Sequence, residues 1–216
     1  MEIVPPKTNP VVRVFVDFWN FQLTINENEA KVQNIQEFRF NVNWFELGKW
    51  LADKARVIIG ASQIDYGGCH IYGSYNPKTS EGTKFHSWMV NVLNRQPGII
   101  VNCLKRAPRA LPKCSTCHQP ITHCPHEGCL SPIVSTTEKG VDTLIVTDMI
   151  SLAWQDAYDV AVIASLDADL IPAVKFVQQK GKRVIQGGFP PGGTALATEC
   201  WASFDVMPDR LQIQRP

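Results

Sequence analysis

The stretch YDVAVIASLDAD, residues 158–169, carries the first decision about this chain. From Tyr158 to Ser165 it is a run of small and β-branched apolar residues without alternation, the pattern of a strand covered on both faces in a parallel sheet. It ends in two carboxylates, Asp167 and Asp169. Just upstream, Val141, Leu144, Ile145, Met149 and Leu152 recur at helical spacing and predict a helix that ends near Trp154. Downstream, Asp169 to Gln179 predicts a helix stopped by Gly181, Arg183–Ile185 another strand, and Ser203–Met207 a last short one. Toward the start, VVRVFV at residues 11–16 repeats the buried-strand pattern and ends at Asp17. The polar segment 22–40 gives no clear element. A helix is predicted from Asn43, a candidate N-cap, to about Lys54, and another along Phe85, Trp88, Met89, Val92 and Leu93. Strands are predicted at CHIYGSY (69–75) and IIVNCL (99–104). Strands alternating with helices over most of the chain imply an α/β fold with a central, mostly parallel sheet flanked by helices.

The chain has 216 residues, enough for one domain carrying a small appendage. Hydrophobic residues at 44% and charged residues at 19% specify a packed core and exclude a disordered chain. A formal net charge of +1 excludes a globally basic nucleic-acid binder, though not a local basic groove. MEIVPPKTNP, at the start, holds two prolines and no apolar core, so no signal peptide is expected there. No apolar run reaches the roughly 18 residues of a membrane span. A cytoplasmic protein without membrane contact is expected.

In parallel sheets of this kind ligands bind beyond the carboxyl ends of the strands. The first strand ends in Asp17-Phe18-Trp19-Asn20 and the strand at 158–165 in Ser165-Leu166-Asp167-Ala168-Asp169, while the helix between begins Lys139-Gly140-Val141-Asp142. Two carboxylates about 4 Å apart repel by roughly 4 kcal/mol at an effective dielectric of about 20. A hard divalent cation such as Mg²⁺ or Mn²⁺ relieves that repulsion and suits phosphodiester hydrolysis. Taken singly, each residue also has a structural reading. Asp169 caps a helix, Asp142 favours a helix N-terminus, and Asn20 fixes a turn.

Together, the D-x-x-N ending of VFVDFWN, the K-G-V-D at 139–142 and the S-x-D-x-D at 165–169 resemble the NYN domain family, in the LabA-like branch of the PIN-like nucleases. The likeness covers nearly everything outside residues 105–137. It implies a Rossmann-like PIN fold spanning 1–216 as a single domain, with an acidic pocket that binds Mg²⁺ or Mn²⁺ and cleaves RNA. By the same resemblance Asp17, Asp142 and Asp167 would be metal ligands, Asp169 a ligand directly or through water, and Asn20 would orient a carboxylate or a water. Asp148 also matches an acidic position common in such sequences. It lies six residues past Asp142, about 240° round a helix, and is read as structural. Leu166 and Leu170 depart from the family pattern, which usually has a small residue and a Phe there.

Residues 105–137 lose all periodicity and read as a Cys-rich insertion. Cys114-x2-Cys117 and Cys124-x4-Cys129 form two knuckles, with His118, His123 and His126 as substitutes for any one thiolate. Four sulfur ligands fit a structural, closed Zn²⁺ site. The arm leading into it carries Lys105, Arg106, Arg109 and Lys113 and no acid, which suits either a phosphate backbone or a solvated face. Trp44, Trp50 and Trp88 read as core, and Trp19 either as near-core or as a base-stacking residue of the pocket.

The expected activity is a metal-dependent ribonuclease, an endonuclease acting on single-stranded or loop RNA. The alternative is a catalytically silent RNA-binding or scaffolding protein on the same fold. A phosphatase using a covalent aspartyl-phosphate is disfavoured because the first strand ends in Asp17-Phe18-Trp19 and lacks a D-x-D pair. A homodimer is left open, as an arrangement in which a second chain completes the pocket.

Overall fold

The computed structural model describes residues 9–126, 128–129, 131–133 and 136–216. Most of the opening segment read as lacking a signal sequence lies outside them. In chain order the elements are β1 (Val11–Asp17), α1 (Phe18–Gln33), α2 (Leu47–Ile58), β2 (Asp65–Tyr75), α3 (Ser80–Asn91) and β3 (Ile99–Lys105). There follow β4 (Ala107–Pro108), β5 (Thr136–Thr137), α4 (Val141–Trp154), β6 (Val160–Ala164), α5 (Ile171–Gln179), β7 (Arg183–Gly188), α6 (Thr194–Glu199) and β8 (Ala202–Asp205). Six strands form one sheet in the order β3-β2-β1-β6-β7-β8, and each neighbouring pair is parallel. The expected α/β sheet is therefore present.

Alternation along the central strands divides the core in two. Val12, Val14 and Val16 of β1, with Val160, Val162 and Ala164 of β6, point to the face covered by α1, α2 and α3. Phe15, Ala161 and Ile163 point to the face covered by α4, α5 and α6. These strand side chains are almost wholly shielded from water. Each large one contributes about 1.5–3 kcal/mol relative to an exposed position. Because both faces are covered, the strands read as continuous apolar runs.

α1 occupies part of the segment in which no element was predicted. Its buried stripe is Phe18, Phe21, Ile25, Glu29 and Ala30, at helical spacing but interrupted by a carboxylate. Glu29 is buried because Arg210, from the far end of the chain, pairs with it through its guanidinium Nε. α2 begins four residues later than predicted. Asn43 does not cap it; its carbonyl accepts from the amides of Glu46 and Leu47, while its own amide donates to Ile213. α6 was also not predicted, since it follows directly on the Gly- and Pro-rich 187–193 loop.

β4 and β5 pair antiparallel and bring the two ends of the 105–137 segment together. Among the described residues of that segment none belongs to the buried core. The isolated bridges Lys113–Pro120 and His123–Pro132 and short-range backbone hydrogen bonds such as Ile121 to Pro112 and Cys124 to Ser131 order its interior.

β1 sits between β2 on one side and β6 on the other, so the strand order reverses beside it. Connections leave β1 and β6 toward opposite faces of the sheet, opening a crevice at their carboxyl ends. No described helix is long and apolar enough to cross a membrane.

Candidate active site at the carboxyl edge of the sheet

Asp17 is the last residue of β1 and at the same time the N-cap of α1, where its Oδ1 accepts from the Asn20 amide at 3.1 Å. The register pairs Val16 with Ala164, so Asp17 lies beside the turn that leaves β6. That turn carries Asp167, whose Oδ1 accepts from the Asp169 amide at 2.8 Å. Buried Ser165 supports it, its Oγ accepting from the Asp167 amide at 3.2 Å. Asn20 ties the two turns together, its Oδ1 accepting from the Leu166 amide at 2.9 Å. It orients the backbone that carries Asp167, and its Nδ2 remains without a partner among the described residues. Asp142 enters from the first turn of α4. The preceding Gly140 has φ +86°, a left-handed conformation that glycine adopts without strain, and this turns the chain into the helix.

The electrostatics show that these carboxylates share one space. Asp17 is only 5% exposed, and its carboxyl is pushed up from 3.8 to about 7. Burial is the main cause; the Asn20 amide opposes it, and the charges of Glu138, Asp142 and Asp167 add to it. Asp142 is also raised, first by burial and then by Asp167, Glu138 and Asp169. Asp169 itself is exposed.

Glu138, absent from the sequence-derived set, thus belongs to the same space. Its signal was its place directly before Lys139-Gly140-Val141-Asp142, just after β5 returns the chain to the sheet. The Ser74 hydroxyl donates to Glu138, and Arg106 lies 3.9 Å from the same carboxylate. Arg106 also donates through Nε to Ser74 Oγ at 2.9 Å and lies over the Trp19 ring, 5.7 Å from its centroid. Of the basic arm, Arg106 therefore reaches the site, while Lys105, Arg109 and Lys113 are exposed. Asp148 faces the other way, its Oδ2 accepting from the Tyr72 hydroxyl at 2.8 Å.

Among the described residues, no three His, Cys, Asp or Glu side chains close around one point as a metal site. The donor set nonetheless fits a hard divalent cation. It is all oxygen, and burial, with a smaller contribution from the neighbouring carboxylates, keeps Asp17 part-protonated near neutral pH, a cost that such an ion removes. The cysteines are brought together only as pairs. Cys114 is held below the usual thiol range by the amides of Cys117 and Thr116 and then by the Cys117 thiol. Cys129 is lowered by the Ser131 hydroxyl and amide and then by the Cys124 thiol. Such lowered thiols fit a soft metal ligand set, while among the described residues no third ligand joins either pair.

Trp44 is buried; Trp50 and Trp88 are half-buried against the same core. Trp19 is half-buried, and its Nε1 donates to the Ser74 carbonyl at 2.7 Å.

The NYN domain model matches residues 11–201, nearly the whole chain. No curated protein matches it. Among solved structures, one similar to it is the crystal structure of a protein of unknown function from Vibrio parahaemolyticus, at 16% identity and a TM-score of 0.55. The alignment covers 94% of this chain and 96% of that one, a likeness of fold.

Proposed function

The chain belongs to the NYN domain family of PIN-like nucleases, and from that premise we propose that it is a metal-dependent ribonuclease, cutting single-stranded or loop RNA endonucleolytically. The observation that carries this reading is the meeting of buried Asp17 with Asp142, Asp167 and Glu138 at the crevice between β1 and β6. Binding a polyanion gains nothing from converging carboxylates, whereas hydrolysing one through a divalent ion requires them.

Asp17, Asp142 and Asp167 would hold Mg²⁺ or Mn²⁺, with Asp169 joining directly or through water. When bound, the ion neutralises charge on the scissile phosphate and acidifies the attacking water. Asn20 fixes the Asp167 turn against α1 and offers Nδ2 to a carboxylate or water. Arg106 restrains Glu138 at the edge of the site and supplies a cation toward the RNA backbone; Lys105, Arg109 and Lys113 extend that positive surface. The Cys114, Cys117, Cys124 and Cys129 thiols would take a structural Zn²⁺ that gathers the two pairs.

The test is cleavage of end-labelled single-stranded RNA in Mn²⁺, Mg²⁺ or EDTA, beside Asp167→Asn. Internal cuts that vanish in EDTA and in the variant are expected. RNA that stays bound and uncut under every condition would overturn the reading in favour of a silent RNA-binding protein.

A further inference from the structure

Beside the acidic crevice lies a second concavity, of about 640 Å³, within the range of ligand-sized pockets. Its two walls are helical stripes. Trp19, Gln22, Leu23 and Asn26 recur at i, i+3, i+4 and i+7 on α1, and Glu81, Lys84, Phe85 and Trp88 do the same on α3. Segment 39–45 closes it, with Trp44 stacked on Phe18 at 4.2 Å between centroids.

Most helix stripes of this spacing are apolar and packed. This one presents rings and amides to an open space. Phe85 lies 4.9 Å from Trp19 and 4.8 Å from Phe18, centroid to centroid, so the rings brace one another. Both amides are oriented by backbone groups that can only donate or only accept. Asn26 Oδ1 accepts from the Phe40 amide at 2.9 Å, and Gln22 Nε2 donates to the Phe40 carbonyl at 2.9 Å and to Asn26 Oδ1 at 2.8 Å. Gln22 Oε1 and Asn26 Nδ2 are left without partners among the described residues, one acceptor beside one donor. The rim carries Arg39, Lys84 and Arg215 against Glu81, all exposed, and none of the three cations forms an ion pair among the described residues.

Aromatic walls, a free donor–acceptor edge and a cationic rim are complementary to a nucleotide: base, base edge and phosphate in turn. An apolar peptide would leave the amides and the cations unused. Trp19 joins this concavity to the acidic crevice, since Arg106 lies over its ring and also reaches Glu138. We propose that the concavity between α1 and α3 binds an unpaired nucleobase of the RNA, seating the chain so that a neighbouring phosphate enters the acidic crevice. What the pocket serves rests on the ribonuclease reading; its occupancy by a base does not.

The experiment titrates uncut short single-stranded RNA onto the Asp167→Asn protein, with one base at a time replaced by an abasic ribose. At one position, removal of the base is expected to weaken binding about tenfold or more, by loss of stacking. Phe85→Leu should erase that difference. Lys84→Glu, on the exposed rim, should weaken binding to every RNA and flatten its salt dependence even if the Phe85 variant folds poorly. RNA that binds equally with and without each base would overturn the pocket, as would no binding at all. Saturation of the concavity by an apolar dye but not by RNA would do the same, assigning it to an apolar partner. Wild-type cleavage is scored separately. Metal-dependent cutting with base-independent binding removes the pocket alone. Base-dependent binding without cutting supports the pocket and removes the nuclease reading.

Discussion

The two groups of candidate metal ligands in this molecule are held in opposite ways. The carboxylates at the β1–β6 crevice hang from the ends of core strands and from helix first turns, and Asn20 fastens one turn to the other through the Leu166 amide. The cysteines of the 105–137 segment hang from chain whose described residues add nothing to the buried core and whose ends are joined by the two-residue strands β4 and β5. In the first region packing fixes the ligands and tolerates their repulsion. In the second the cysteines meet as pairs, and the Zn²⁺ proposed for them would have to draw the two pairs together. A preorganised site suits chemistry, whereas a site assembled by its ion suits a structural role.

This contrast breaks most visibly in catalysis. Asp167→Asn preserves the cap on the Asp169 amide, because Asn caps as well as Asp. RNA cleavage should therefore fall by about a hundredfold or more while the melting midpoint stays put. A variant that loses activity only by unfolding would remove the distinction.

A second way to break it is the stability of the metal-free protein against pH. Asp17 holds its proton more tightly when folded, near 7 against 3.8. Its contribution is thus fully present below about pH 4 and lost as pH rises through about 7, a change on the order of 4 kcal/mol. Denaturant titrations without metal should find Asp17→Asn more stable than wild type at pH 8, with the gap closing toward pH 4. Equal stability at both ends would mean that the carboxyl is not held protonated by its surroundings.

Asn20→Ala removes the acceptor of the half-buried Leu166 amide and should cost about 1–2 kcal/mol, with a smaller loss of activity than Asp167→Asn. Urea melts and RNA cleavage measured on one preparation check both. The smallest effect concerns the cysteines. Cys114→Ser should reduce bound zinc and speed protease cutting within 109–135, yet leave the main melting transition of the sheet unmoved. A shift of that transition would tie the segment to the core.

The contrast also explains what the sequence revealed. β1, β6 and α4 were legible because both-face burial writes itself as unbroken apolar runs and helical spacing, and their ends named Asp17, Asp142 and Asp167. α1 was not legible. Its stripe contains Glu29, apolar in position but not in type, and the partner that permits this, Arg210, comes from the other end of the chain. Glu138 escaped for a related reason. Its approach depends on β5 folding back onto β4 and on Ser74 and Arg106 receiving it, none of which leaves a local periodicity. The cysteine spacing reads as two knuckles on one Zn²⁺, and in the fold Cys114 meets Cys117 and Cys124 meets Cys129.

The most direct test of the central claim is calorimetric titration of Mn²⁺ into wild type, Asp17→Asn and Asp142→Asn near pH 6.5, in buffers of different ionisation heat. One site should appear in wild type, with proton release as Asp17 gives up its proton to the incoming ion, and should be lost or greatly weakened in both variants. Equal Mn²⁺ binding by all three proteins, or none by wild type, would contradict a metal-dependent site at the crevice.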